Sequence, residues 1–239
     1  MNLNKKQKNI NISGKLKKAI VLVSGGMDSC LTAAYALKKY QCAFLHINYG
    51  QRTEKRELKA FNDIAEFYGV KQKLVVDIGY LKKIGGSSLT DKRIPVSKAE
   101  IKSKKIPSSY VPFRNANILS IATSWAEVIG AERIYIGAVE EDSSGYPDCT
   151  ENFFKAFNQV LKTGTKLKTL KVETPIIHLS KKQIVNQSYK MNAPIHLTWS
   201  CYKENEFACG ICDSCALRLK GFREANKKDP IKYKKNIRL

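Results

Sequence analysis

The run Ala19-Ile20-Val21-Leu22-Val23 passes directly into Ser24-Gly25-Gly26-Met27-Asp28-Ser29, and this junction constrains the fold more than any other part of the chain. A short apolar run rich in β-branched residues and closed by glycine reads as a buried strand. A helix is expected behind it, from about Asp28 to Lys39. Gly25 and Gly26 can take backbone angles closed to other residues, so main-chain N–H groups can converge on one point. The helix N-terminus adds unsatisfied N–H groups and a partial positive charge. Ser24 and Ser29 supply hydroxyls, and Asp28 can cap the helix or help to hold a magnesium ion. Such a loop grips phosphate. The plainer alternative is a Gly-Gly turn with Asp or Ser as N-cap. The pattern is neither G-x-x-x-x-G-K-[ST] nor G-x-G-x-x-G.

The remaining apolar patterning alternates between strand and helix. Strands are expected at Cys42–Asn48, Lys73–Ile78, Arg133–Gly137 and Lys171–Ile177. Helices are expected at Glu54–Tyr68, Asn115–Ile129, Asn152–Leu161 and Ser180–Met191, the last with Ser180 as N-cap. This alternation predicts an α/β fold, a mostly parallel doubly wound sheet with helices on both faces. Residues 79–110 interrupt the rhythm with basic and polar residues and a Gly-Gly-Ser-Ser run, the signature of a lid or insertion. The expected division is a disordered basic leader at 1–16, a nucleotide domain at 17–195 and a metal-binding substructure with a final helix at 196–226. A polar, frayed tail follows at 227–239.

Lysine and arginine number 42 against 21 acidic residues, a formal charge of +21. That excess suits a polyanion partner, or it is a lysine bias on solvated faces. The lysines are scattered and aromatic residues are not interleaved with them, which favours the second reading. No run approaches the roughly 18 apolar residues of a membrane span. No secretory signal pattern is present, so a soluble, cytoplasmic protein is expected.

Four of the seven cysteines fall in Cys201-x7-Cys209-x2-Cys212-x2-Cys215. Four thiolates so closely spaced suit one structural, tetrahedral Zn²⁺. An iron–sulfur cluster and a redox dithiol pair are the alternatives. Cys30, Cys42 and Trp125 read as core, Cys149 stays open, and His46, His178 and His196 read as structural.

The loop resembles the SGGxDS pyrophosphate loop of the N-type ATP pyrophosphatases. Further blocks narrow the resemblance: NYGQR at 48–52, SSLT at 87–90, YVPFRN at 110–115, GYPDC at 145–149, ETPI at 173–176, and TWSCY with CGICDSCALR between 198 and 218. Together they resemble the 7-cyano-7-deazaguanine synthase family of queuosine biosynthesis. Thr53 and Thr150 depart from that family, which more often has histidine and a basic residue there. The resemblance implies an adenine nucleotide alpha hydrolase-like fold and a ligase joining 7-carboxy-7-deazaguanine and ammonia at the expense of ATP with Mg²⁺. It implies that Val23, Ser24, Gly25, Gly26, Met27, Asp28 and Ser29 hold pyrophosphate. Arg114 would neutralise the α-phosphate or the substrate carboxylate, and Tyr49, Gln51, Arg52 and Asp148 would stand on the substrate side. Nucleic acid and membrane are not required, and a homodimer is compatible with the sequence. The alternatives are a tRNA-modifying ATP pyrophosphatase and a zinc-containing nucleic-acid-binding protein.

Overall fold

A computed structural model of the chain describes residues 17–96, 106–140 and 145–234. The expected leader at 1–16 lies outside the described residues, as do 97–105 of the expected lid and the tail beyond 234. Five strands form one parallel sheet: β1 (Lys18–Leu22), β2 (Gln41–Asn48), β3 (Lys73–Asp77), β4 (Ala131–Tyr135) and β5 (Lys171–Glu173). Their order is β3-β2-β1-β4-β5. The chain winds outward from β1 in both directions, so the switch point lies between β1 and β4. Open α/β sheets leave a crevice at the carboxyl ends of strands at such a point.

Strand periodicity sorts the core into two layers. Ala19, Val21 and Val23 face one way, packing with Cys30, Ala33, Phe61 and Ile64 of α1 (Met27–Leu37) and α2 (Glu54–Phe67). Ile20 and Leu22 face the other way, toward Leu119, Ala122, Phe154 and Leu161 of α4 (Arg114–Ile129) and α5 (Glu151–Gly164). Cys30 and Cys42 lie in the first layer, where burial pushes each thiol up to about 12. They are core residues, as expected.

A third cluster joins Met27 and Leu31 to Ile184 and Val185 of α6 (Lys181–Lys190) and to Phe222 of α7 (Asp213–Glu224). Ser180 caps α6 in a complete capping box with Gln183. β5 stops at Glu173, short of the expected Ile177, because Pro175 has no N–H for a ladder bond. The last helix, expected within 196–226, runs from Asp213 to Glu224. Cys212 is its extended N-cap, so the cysteine run itself starts the helix.

Two expected segments are more ordered than their composition suggests. Within 79–110, α3 (Tyr80–Ile84) is helical, and Ser87, Ser88, Leu89 and Thr90 are buried. The tail is polar, yet it is not frayed through Lys234. Asp229 accepts from Arg218 at 2.7 and 2.9 Å and from the Tyr233 hydroxyl at 2.6 Å. Arg218 is 1% exposed. A buried guanidinium demands a counter-ion, and the acid that meets it lies in the tail.

Candidate functional site

The Ser24–Ser29 loop, expected to hold phosphate, is tied together from within. The Ser29 hydroxyl donates to the Gly26 carbonyl at 3.0 Å, and the Ser24 hydroxyl donates to Ser29 Oγ at 3.2 Å. Gly26 is the N-cap of α1 and no side chain caps it, which leaves the first-turn amides directed out of the helix end. Gly25 has φ +89°, and a Cβ there would stand 2.7 Å from the Glu57 carbonyl oxygen. Glycine is therefore required by conformation and by the close approach of α2. Gly137, just past β4, packs equally closely from the other side, where a Cβ would meet Asp28 and Ser29 backbone at 2.9 Å.

Asp28 does not cap α1. Its Oδ2 accepts from Lys181 Nζ at 2.8 Å, and its Oδ1 is buried without a hydrogen-bond partner among the described residues. Lys181 comes from α6, far away in sequence, and nothing local in its surroundings distinguishes it from other lysines.

A cleft of about 290 Å³ opens at this loop and extends to α7. Ser24, Gly26, Met27, Asp28 and Ser29 line it together with Trp199, Tyr202, Asp213 and Arg218. Arg114, the first residue of α4, lines the same cleft. It donates to the Tyr49 hydroxyl at 3.1 Å, with its guanidinium carbon 5.2 Å from the Tyr49 ring centroid. Tyr49, Tyr146 and Tyr202 bring three phenol rings to the cleft, flat apolar faces that suit a planar ring system. Burial pushes the Tyr49 phenol up to about 12 and the Cys149 thiol up to about 11. Both therefore stay neutral, and Cys149 lines the cleft as a thiol.

Phe113, before Arg114, is in the left-handed region with φ 55°. That strained backbone sits at the entrance to the helix that carries Arg114. Neither Asn115 nor Asn117 caps α4 through its side chain. Asp148 does so instead, its Oδ2 accepting from the Asn115 amide at 2.8 Å.

Of the residues expected on the substrate side, only Tyr49 lines the cleft. Asp148 is buried as the helix cap just described. Arg52 is turned onto the 87–94 segment, donating to the carbonyls of Ser88, Asp91 and Ile94 at 2.7, 3.0 and 2.8 Å. It holds the loop, not the cleft. Gln51 accepts from the Tyr49 amide at 2.8 Å and donates to Glu57 Oε2 at 3.1 Å, one step behind the cleft wall. Glu57, Lys181, Tyr146 and Tyr202 line the cleft without having been singled out by sequence.

Cys201, Cys209, Cys212 and Cys215 are all buried, with their sulfurs within 4.8 Å of one another. A tetrahedral metal about 2.3 Å from each sulfur spaces its ligands roughly 3.8 Å apart. The Cys209–Cys215 separation is 4.0 Å. The amides of Lys203, Glu204 and Cys209 donate to Cys201 Sγ at 3.4, 3.4 and 3.3 Å, as stabilising a thiolate requires. These four residues can hold a metal. His46, by contrast, is buried in β2 with Nδ1 2.9 Å from the Val23 carbonyl, away from any such cluster.

Residues 18–226 match the family model described as "Queuosine biosynthesis protein QueC". The chain is 57% identical over 219 residues to the 7-cyano-7-deazaguanine synthase of Chloroherpeton thalassium, covering 91% of this chain and 97% of that one. It is 56% identical over 218 residues to the protein of the same name from Chlorobium chlorochromatii, covering 90% and 96%.

Proposed function

The chain belongs to the queuosine biosynthesis QueC family, and on that premise we propose that it converts 7-carboxy-7-deazaguanine, ammonia and ATP to 7-cyano-7-deazaguanine. The observation that carries this reading is one cleft holding both the SGGMDS loop and Arg114 beside three tyrosine rings. The loop suits a polyphosphate and the rings suit a planar heterocycle.

A carboxylate resists attack by ammonia because its leaving group would be oxide. Transfer of AMP from ATP to a carboxylate oxygen releases pyrophosphate and turns that oxygen into a phosphate leaving group. Ammonia then displaces AMP to give the amide. Forming the nitrile removes a second oxygen, so the amide oxygen takes AMP from a second ATP. Loss of AMP and of the remaining N–H protons leaves the C≡N bond.

In this scheme the protein positions reactants and neutralises charge. Val23 through Ser29 hold the departing pyrophosphate by main-chain N–H groups and the Ser24 and Ser29 hydroxyls. Lys181 adds a positive charge at the same end of the cleft. Arg114 faces the α-phosphate or the substrate carboxylate. Asp28 Oδ1, a buried oxygen with no hydrogen-bond partner, suits a Mg²⁺ accompanying the phosphates, whose charge that ion would neutralise. The four thiolates suit a structural Zn²⁺, with no position left for substrate. Among the described residues no helix is long and apolar enough to cross a membrane, which is in keeping with a cytoplasmic enzyme.

The test is direct. Purified, zinc-loaded protein incubated with ATP, ammonium and the carboxylate should give the nitrile by mass spectrometry, with AMP and pyrophosphate. No product, together with tight tRNA binding, would favour a tRNA-modifying ATP pyrophosphatase instead.

A further inference from the structure

Three carboxylates line the cleft: Asp28, Glu57 and Asp213. Asp28 is engaged by Lys181 at 2.8 Å, and Asp213 directly follows the metal-binding Cys212. Glu57, in the first turn of α2, is held by neutral groups. Thr53 Oγ1 donates to Oε1 at 2.7 Å and Gln51 Nε2 to Oε2 at 3.1 Å. Gln51 is itself fixed by the Tyr49 amide at 2.8 Å. A carboxylate oxygen that accepts one such bond keeps acceptor capacity for another, so an oriented anion with room for a donor faces the cleft.

The reaction read above creates a need for this group. At neutral pH ammonia is almost entirely ammonium, which has no lone pair for attack. A site using free ammonium must bind a small cation in the cleft and remove one proton. Resting on that adenylation reading, we propose that Glu57 receives ammonium and acts as the base that converts it to ammonia.

One proton passes from ammonium to a Glu57 oxygen. The freed lone pair forms the C–N bond at the adenylated carbon, and the bond from that carbon to the adenylate oxygen breaks. The electron pair leaves on AMP, the proton shed by nitrogen passes to AMP or water, and Glu57 returns its own proton to solvent. Arg114 and Tyr49 stand close enough to influence Glu57 electrostatically, and all three line the same cleft. Burial raises the Glu57 pKa, while Thr53, Gln51 and Arg114 pull it down and Glu54 pushes it up. A raised carboxylate is the better base near neutral pH.

The experiment compares wild type with Glu57→Gln in three assays. Pyrophosphate–ATP exchange dependent on the carboxylate substrate reports adenylation alone. Amide and nitrile formation with ammonium requires the base. Hydroxylamine, a nucleophile that is largely unprotonated at neutral pH, traps the adenylate as a hydroxamate and bypasses the base. The expected result is a loss of about a hundredfold or more in ammonium-dependent turnover, with exchange and hydroxamate formation within about threefold of wild type. Raising the pH, which supplies free ammonia, should recover part of the ammonium-dependent rate. Equal losses in all three assays would mean that Glu57 only supports the loop, and undiminished ammonium turnover would mean that it is not the base. Either result overturns the proposal. Absence of exchange in the wild type would overturn the adenylation reading itself.

Discussion

The main-chain amide of Trp199 donates to the Gly25 carbonyl oxygen over 2.8 Å. The indole also lies under Arg56, whose guanidinium carbon is 4.5 Å from the ring centroid, and its Nε1 donates to the Glu204 carbonyl at 3.1 Å. The segment leading into the thiol cluster thus ends on the phosphate loop. Ser200 and Cys201 follow at once, so whatever orders the four sulfurs also orders a partner of Gly25.

Stripping the zinc proposed for the four thiols should therefore weaken nucleotide binding as well as stability. Metal affinity at such sites is folding free energy. Treatment with a strong chelator is expected to lower the thermal midpoint and reduce ATP affinity together, and re-addition of zinc should restore both. Calorimetric titration of ATP against metal content checks this. Unchanged ATP binding in zinc-free, folded protein would show that the Trp199 contact transmits nothing.

Asp28→Ala removes the partner of Lys181 and the orphaned Oδ1 in a residue whose side chain is about a third exposed. Turnover should fall by about a hundredfold or more, the scale of losing one electrostatic group at a reacting centre. Zinc content and thermal midpoint should stay near wild type. Steady-state kinetics beside a melting curve separates the two effects.

His46 gives a pH signature. Burial, the largest influence, lowers its pKa below 6.5, against weaker opposing bonds to Val23 and Asn48. The native state thus refuses a proton that the unfolded chain accepts. Its contribution to stability is complete above the ordinary histidine range and is lost as pH falls through that range toward the folded pKa. The thermal midpoint should drop between about pH 7 and about pH 5, and His46→Gln should flatten that part of the curve.

The Arg218–Asp229 pair is nearly solvent-free, at 1% and 4% side-chain exposure. Removing one partner leaves the other buried and uncompensated. Asp229→Ala is expected to cost about 3–5 kcal/mol, measured by denaturant unfolding. The exposed pair Lys59–Asp63 should cost less than about 1 kcal/mol when broken.

The contrast between Gly25 and Lys181 explains what was legible from sequence. The strand–Gly-Gly–helix loop is written in contiguous residues, because a strand, two glycines and a helix N-terminus are local physics. The cysteine site was equally readable, since its ligand spacing is short and the chemistry of thiolates is specific. Lys181 and Glu57 reach the cleft only through tertiary packing, and no local pattern separates them from surface residues of the same type, whereas Tyr146 and Tyr202 lie inside the GYPDC and TWSCY blocks. Arg52 shows the converse. It stands after a strand's carboxyl end, where ligands often bind, yet carbonyls of the 87–94 segment compete for its guanidinium. Composition misled in the tail, where one aspartate among lysines is claimed by a buried arginine.

The Trp199–Gly25 bond also has a temporal meaning. Ribosomes deliver the chain in order, so the phosphate loop emerges long before the residue that secures it. Synthesis must proceed past Trp199 before Gly25 can gain this partner. Nascent and truncated chains that stop short of Trp199 therefore carry a Ser24–Ser29 loop that lacks this backbone bond.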